Sequence, residues 1–143
     1  MFEKVVVGAD DSSTAREAVR FAADIAKLAG GEFHIVTAFD PKSIRMEDLP
    51  QEFRYTATVH PADLLLQALS SLATERGLEP VLHAATGDPA DAIIRVAERE
   101  QADLVVVGNK GMKGVRRVLG SIPNTVAHRA PCSVLIVDTG AAT

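Results

Sequence analysis

A chain of 143 residues is the size of one domain and is long enough to bury a core. Its 47% hydrophobic and 24% charged content is that of an ordinary soluble globular protein. The formal net charge of −4 argues against a general nucleic-acid or membrane-surface binder, because either partner favours a basic face.

The chain alternates strand and helix patterns from the start. Lys4–Gly8 is an apolar run that reads as a strand, and Ser12–Ala29 follows with Ala15, Ala18, Val19, Ala22, Ile25, Ala26 and Ala29 at helical spacing. Gly30-Gly31 closes that helix, and Glu32–Phe39 is the second strand. Asp40–His60 carries mixed charge, two prolines and weak periodicity, and reads as a long connection. Pro61–Arg76 aligns Leu65, Leu69 and Leu72 on one helical face and ends at Gly77; Pro80–Ala85 is the third strand. Asp88-Pro89 is a cap followed by a proline at the first helical position, opening a helix with Ala92, Ile93, Val96 and Ala97 inward. Asp103–Gly108 is the fourth strand, a short helix follows Ser121 and stops before Pro131, and Ser133–Asp138 is the fifth strand. Gly140–Thr143 reads as a frayed tail.

Near-continuous Val, Ile and Leu runs suit strands buried on both faces, which is the situation in a parallel sheet. Right-handed crossovers then predict an α/β fold, a single doubly wound domain over residues 1–143 with helices on both faces. Ligands bind such sheets outside the carboxyl ends of the strands, where the winding reverses. The loops after strands one, two and four therefore carry the expected site: 9–12, 38–41 and 108–121.

Gly108–Ser121 is the most informative of these. It holds four glycines and the cations Lys110, Lys113, Arg116 and Arg117 in an otherwise acidic chain. Glycine lets backbone N–H groups approach an anion closely, and the helix start at Gly120-Ser121 adds free N–H groups and partial positive charge. The Ser121 hydroxyl can cap its own helix or donate to a phosphate. Asp10, at the carboxyl edge of strand one, can accept hydrogen bonds from a ribose diol or hold Mg²⁺ through water. A helix cap is the simpler role for Asp10, but Asp11, Ser12, Ser13 and Thr14 can also fill it.

Several chemistries are excluded. There is no Gly-x4-Gly-Lys-[Ser/Thr] loop and no Gly-x-Gly-x-x-Gly after strand one. Asn109-Lys110 looks like the start of a guanine-reading motif, but Met112 stands where its aspartate is required. His34, His60, His83 and His128 have no metal-ligand spacing and read as surface or satisfied histidines. Cys132 is the one cysteine, so no intramolecular disulfide forms; it reads as a small half-buried apolar residue rather than a nucleophile. No catalytic residue and no metal ligand set is expected. No apolar stretch reaches membrane-spanning length, and Met-Phe-Glu-Lys leads straight into a strand with no signal-like segment, so the expected setting is cytoplasmic.

The opening Val5-Val6-Val7-Gly8-Ala9-Asp10-Asp11-Ser12, together with the stretch from Val105-Val106-Val107-Gly108 through Gly120-Ser121-Ile122-Pro123-Asn124 to Ala130-Pro131-Cys132-Ser133, resembles the universal stress protein family over essentially the whole chain. The resemblance implies a five-stranded parallel sheet in the order 3-2-1-4-5 and a homodimer built through the last strand. It also implies an ATP-binding stress-response regulator, with Mg²⁺ and at most slow hydrolysis. Gly108, Gly111, Gly120 and Ser121 match the fixed positions of the family's ATP-binding Gly-x2-Gly-x9-Gly-[Ser/Thr] pattern. Asp10 matches the acidic residue at the ribose, and Ala38 falls where the backbone meets adenine. Ala9, Lys113, Arg117 and Ile122 complete the nucleotide-binding set so implied. One spacing departs from the pattern: eight residues, not nine, separate Gly111 from Gly120.

Two alternatives share the fold: a dimeric interaction module without nucleotide, and a binder of AMP or cyclic AMP. A phospho-receiver also has an acidic pair after strand one, here Asp10-Asp11. It needs an aspartate ending strand three and a lysine after strand five, where this chain has Ala85-Thr86-Gly87 and Asp138-Thr139.

Overall fold

The five apolar runs all become strands, and the caps written into the sequence delimit the helices between them. The structure, a computed structural model, describes residues 1–39, 61–109 and 121–140. The expected long connection 40–60 and most of the glycine segment, 110–120, lie outside the described residues. In chain order the elements are β1 (Lys4–Gly8), α1 (Ser13–Ala29), β2 (Glu32–Phe39), α2 (Pro61–Thr74), β3 (Val81–Thr86), α3 (Pro89–Glu100), β4 (Leu104–Gly108), α4 (Ile122–Arg129) and β5 (Ser133–Val137).

Local chemistry sets these boundaries. The Ser12 hydroxyl accepts from the Ala15 N–H to cap α1, so Ser12 is the cap and the helix begins at Ser13. Gly30 ends α1 with φ +67, and the Gly31 N–H closes back on the Ala26 carbonyl at 2.9 Å. α2 stops at Thr74, two residues before the expected Arg76, because Arg76 and Gly77 donate to the carbonyls of Ala73 and Thr74 in a tighter turn. Asp88 caps α3 ahead of Pro89, as its sequence indicates. The far end of α3 carries a surprise: Gln101 takes the left-handed conformation usually given to glycine, φ +55. Asp103 falls just outside β4, since its carboxylate accepts from the backbone N–H groups of Glu3 (2.8 Å) and Lys4 (3.0 Å) and fixes the start of β1.

All four strand pairs are parallel and the order is β3-β2-β1-β4-β5, the five-stranded doubly wound arrangement expected. Successive side chains point to opposite faces. Val5 and Val7 join Phe33, Ile35, Leu104 and Val106 beneath α1 and α2. Val6 joins Val36, Val105 and Val107 beneath α3 and α4. This double burial explains why β1 and β4 read as unbroken valine runs. No helix among the described residues is long and apolar enough to cross a membrane.

Gly8 marks where α3 presses on the sheet. A Cβ at that position would lie 2.2 Å from Ile93 Cδ1. Gly8→Ala is therefore expected to destabilise the fold by about 1–3 kcal/mol through overpacking, with partial recovery in the Gly8→Ala/Ile93→Val double variant. Urea unfolding of the variants checks this.

Candidate functional site

Winding reverses between β1 and β4, which lie side by side with Val7 opposite Val106. Their exits, Ala9-Asp10 and Asn109, therefore leave the same edge of the sheet at the switch point. The Ala9 N–H donates to the Val36 carbonyl at 2.9 Å, carrying the β1–β2 pairing one residue past the strand. Asp10 then turns outward and is exposed. Its Oδ1 accepts from the Ser12 N–H at 2.9 Å and from the Ser12 hydroxyl, and Ser12 in turn caps α1. Asp10 thus braces the capping residue without being the cap, and this holds its carboxylate in a fixed orientation at the edge. Ala38 lies near the end of β2, half-buried and opposite Ala85 of β3.

The β4 and β5 exits form one hydrogen-bonded corner. The Asn109 N–H donates to the Val137 carbonyl at 2.9 Å. Its side-chain oxygen accepts from both the N–H and the hydroxyl of Thr139, each at 2.9 Å, and its side-chain nitrogen donates to Asp138 Oδ1 at 3.0 Å. Thr139 is 3% exposed, so this corner satisfies polar groups that water does not reach. Both ends of the Asn109 amide bind the exit of β5, an independent reason against guanine reading. A single sequence gives no sign of this pairing, because its partners are about thirty residues apart and only the sheet joins them.

Gly108, beside this corner, is not required by the fold. Its φ lies outside the left-handed region, and a Cβ there would meet Thr139 Cγ2 at 3.4 Å and Ala18 Cβ at 3.7 Å, ordinary contact. The contrast with Gly8 is direct: packing explains one glycine and leaves the other to another cause.

α4 runs back from the carboxyl edge to the amino end of β5, so its first turn opens at the site edge. The Ser121 hydroxyl accepts from the Asn124 N–H at 3.3 Å, the capping role, and its proton remains available to an acceptor. Pro123 stands in the first turn, no acidic residue does, and Ile122 is exposed. This end of the helix carries partial positive charge that an anion favours. At its other end, Arg129 holds Asp91 of α3 at 2.7 Å.

Of the expected nucleotide-binding residues, Ala9, Asp10, Ala38 and Gly108 lie at the carboxyl ends of β1, β2 and β4, and Ser121 and Ile122 at the start of α4. Gly111, Lys113, Arg117 and Gly120 lie outside the described residues. Among the described residues no group of three or more His, Cys, Asp or Glu side chains can hold a metal ion. The Cys132 thiol is pushed up by burial and by Asp103, against a weaker opposing backbone contact at Val105. A thiol held in its neutral form is a poor nucleophile, in keeping with its packing role beside the α3–α4 core.

Replacing Asn109 by Ala strands the buried Thr139 donors. We expect a loss of about 1–3 kcal/mol in chemical denaturation, and an unchanged unfolding midpoint would contradict the corner described.

The sequence profile of the Universal stress protein family matches residues 1–138. A universal stress protein of Mycobacterium tuberculosis is 36% identical over 143 residues, covering 96% of this chain and 97% of the relative. One from Methanocaldococcus jannaschii is 30% identical over 145 residues, covering 96% of this chain and 82% of the relative. Among solved structures, a universal stress protein in complex with cAMP superposes with a TM-score of 0.81 at 32% identity, covering 96% of this chain and 98% of that one. The protein belongs to the universal stress protein family.

Proposed function

We propose that this chain is an adenine-nucleotide-binding regulatory protein of the stress response, with ATP as its ligand. The observation that carries the reading is the convergence at the switch point: the fixed Asp10 carboxylate, a glycine at 108 that packing does not require, and the open helix end at Ser121. The cAMP bound by the 32%-identical relative supports the same ligand class.

In this reading Asp10 accepts the ribose hydroxyls, and the backbone of Ala9 and Ala38 borders the adenine. The amides around Gly108, Gly111, Gly120, Ser121 and Ile122 take the phosphates, with Lys113 and Arg117 supplying positive charge. Mg²⁺ would enter with the triphosphate and offset its charge, with Asp10 the carboxylate at this edge that could hold it through water. A phosphate approaches a backbone N–H most closely where no Cβ intervenes, which is the use we assign to Gly108. Hydrolysis is slow in this reading, because no side chain among the described residues of this edge is placed as a general base toward the phosphates. The setting we propose is the cytoplasm, where ATP is available.

The same reading includes a homodimer through β5. That strand pairs with β4, and among the described residues no other strand pairs with its second edge. Beside that edge lies an open cleft of about 530 Å³ lined in part by Phe21, Leu135 and Ile136. A second copy pairing there would cover an edge that soluble proteins otherwise blunt.

AMP or cyclic AMP as ligand is favoured by one specific observation: the segment from Gly111 to Gly120 is one residue short of the triphosphate-binding pattern. Calorimetry with ATP and Mg²⁺, AMP and cyclic AMP separates the two. We expect ATP to bind most tightly, and Asp10→Ala and Gly120→Val each to weaken it at least about tenfold, or 1.4 kcal/mol. Gly108→Ala should leave the unfolding midpoint in place and weaken ATP more than adenosine. Tighter AMP or cyclic AMP binding would favour the second reading, and undiminished ATP binding by both Asp10→Ala and Gly120→Val would overturn the site.

A further inference from the structure

At the amino end of the sheet, away from the nucleotide edge, four side chains form a continuous hydrogen-bonded line beneath and beside α3. His34 of β2 is 1% exposed. Its Nε2 is 2.7 Å from Glu32 Oε1 on the same strand, and its Nδ1 is 2.9 Å from His83 Nε2 on β3. Arg99, in the last turn of α3, reaches His83 Nδ1 at 3.0 Å. The two rings are nearly coplanar, 17° apart with centroids 5.1 Å from one another, as imidazoles joined nitrogen to nitrogen should be.

Proton positions follow from the far end of this line. A guanidinium has donors and no acceptor, so Arg99 donates and His83 Nδ1 must accept. Neutral His83 then carries its proton on Nε2 and donates to His34 Nδ1. His34 likewise carries its proton on Nε2 and donates to the Glu32 carboxylate. Every bond points the same way, from Arg99 to Glu32, and both tautomers are determined.

One added proton on either ring cannot be accommodated. On His83 Nδ1 it confronts the Arg99 donor. On His34 Nδ1 it confronts the His83 Nε2 proton, and moving that proton to His83 Nδ1 carries the conflict to Arg99 again. The contact that breaks is the one tying α3 to β3.

We propose that Glu32, His34, His83 and Arg99 form an acid-sensitive latch, which fastens the last turn of α3 to β2 and β3 when neutral and releases it on taking up one proton. Among the described residues, the charged groups around the pair are Glu32 on β2, Lys4 on β1 opposite Glu32 in register, and Arg99 and Glu100 on α3. Glu32 and Glu100 favour an imidazolium, and Arg99 opposes it. Burial, then the neighbouring His34, then Arg99 hold His83 below its ordinary pKa against the pull of Glu100. The unfolded chain therefore takes up this proton first. The stability from His83 is fully present above about pH 6.5 and is lost as pH falls toward the lower folded value. The latch is independent of the nucleotide reading.

Two measurements test it. Long-range ¹⁵N–¹H correlation at about pH 7.5 should show His34 and His83 as neutral Nε2–H tautomers. Between about pH 7.5 and pH 5.5, hydrogen exchange corrected for intrinsic rates should show amides in the last turn of α3 losing about tenfold more protection than those of α1. In His83→Gln the amide can still accept from Arg99 and donate to His34 without titrating, and the extra loss should vanish. In Arg99→Met, an exposed change that spares the core, the His83 titration midpoint should rise. An Nδ1–H tautomer at either ring, an extra loss that persists in His83→Gln, or an unmoved His83 midpoint in Arg99→Met would each overturn the proposal.

Discussion

The structure depends on burying both faces of the central strand pair. Val5, Val6 and Val7 of β1 and Leu104 to Val107 of β4 are at most 4% exposed, so each face of the sheet must be roofed by helices. A parallel strand cannot be reached by a tight hairpin, and every return to the amino edge therefore crosses over as a helix on one face or the other. With α1 and α2 on one side and α3 and α4 on the other, winding reverses beside β1. Asp10, Asn109 and the start of α4 stand there because the core is built this way.

The two ends of the sheet take different work. At the carboxyl end the backbone is fixed by side chains that are themselves satisfied: Asp10 on Ser12, and Asn109 on Thr139 and Asp138. Such bracing orients an exposed edge without filling it. At the amino end the polar groups face one another beneath α3 and are closed to solvent at His34. Charge enters there as a proton, and the Arg99 contact feels it.

The strands and caps were legible because each rests on local chemistry. Valine runs buried on two faces, Ser12 and Asp88 as caps, Pro89 in a first turn and Gly30 in the left-handed conformation all act within a few residues. The sheet order came from resemblance, since no single strand records which neighbour it will pair with. Gln101 escaped because its left-handed conformation is imposed by the α3–β4 turn on a residue that does not favour it. The Asn109 corner escaped because its partners meet only after β5 is laid beside β4. His34 and His83 read as surface or satisfied residues, but that their partner is one another depends on the β2–β3 register. Asp10 braces the cap without being the cap, and local spacing alone cannot separate those roles.

We propose that the carboxyl edge of this sheet holds an adenine nucleotide. The most direct test is to purify the protein from cells under native conditions, release bound small molecules by denaturation, and identify them by mass spectrometry. The account predicts an adenine nucleotide, ATP foremost, at a substantial fraction of one per chain. Protein that releases no adenine nucleotide, and then takes up none when supplied with ATP and Mg²⁺, would contradict it.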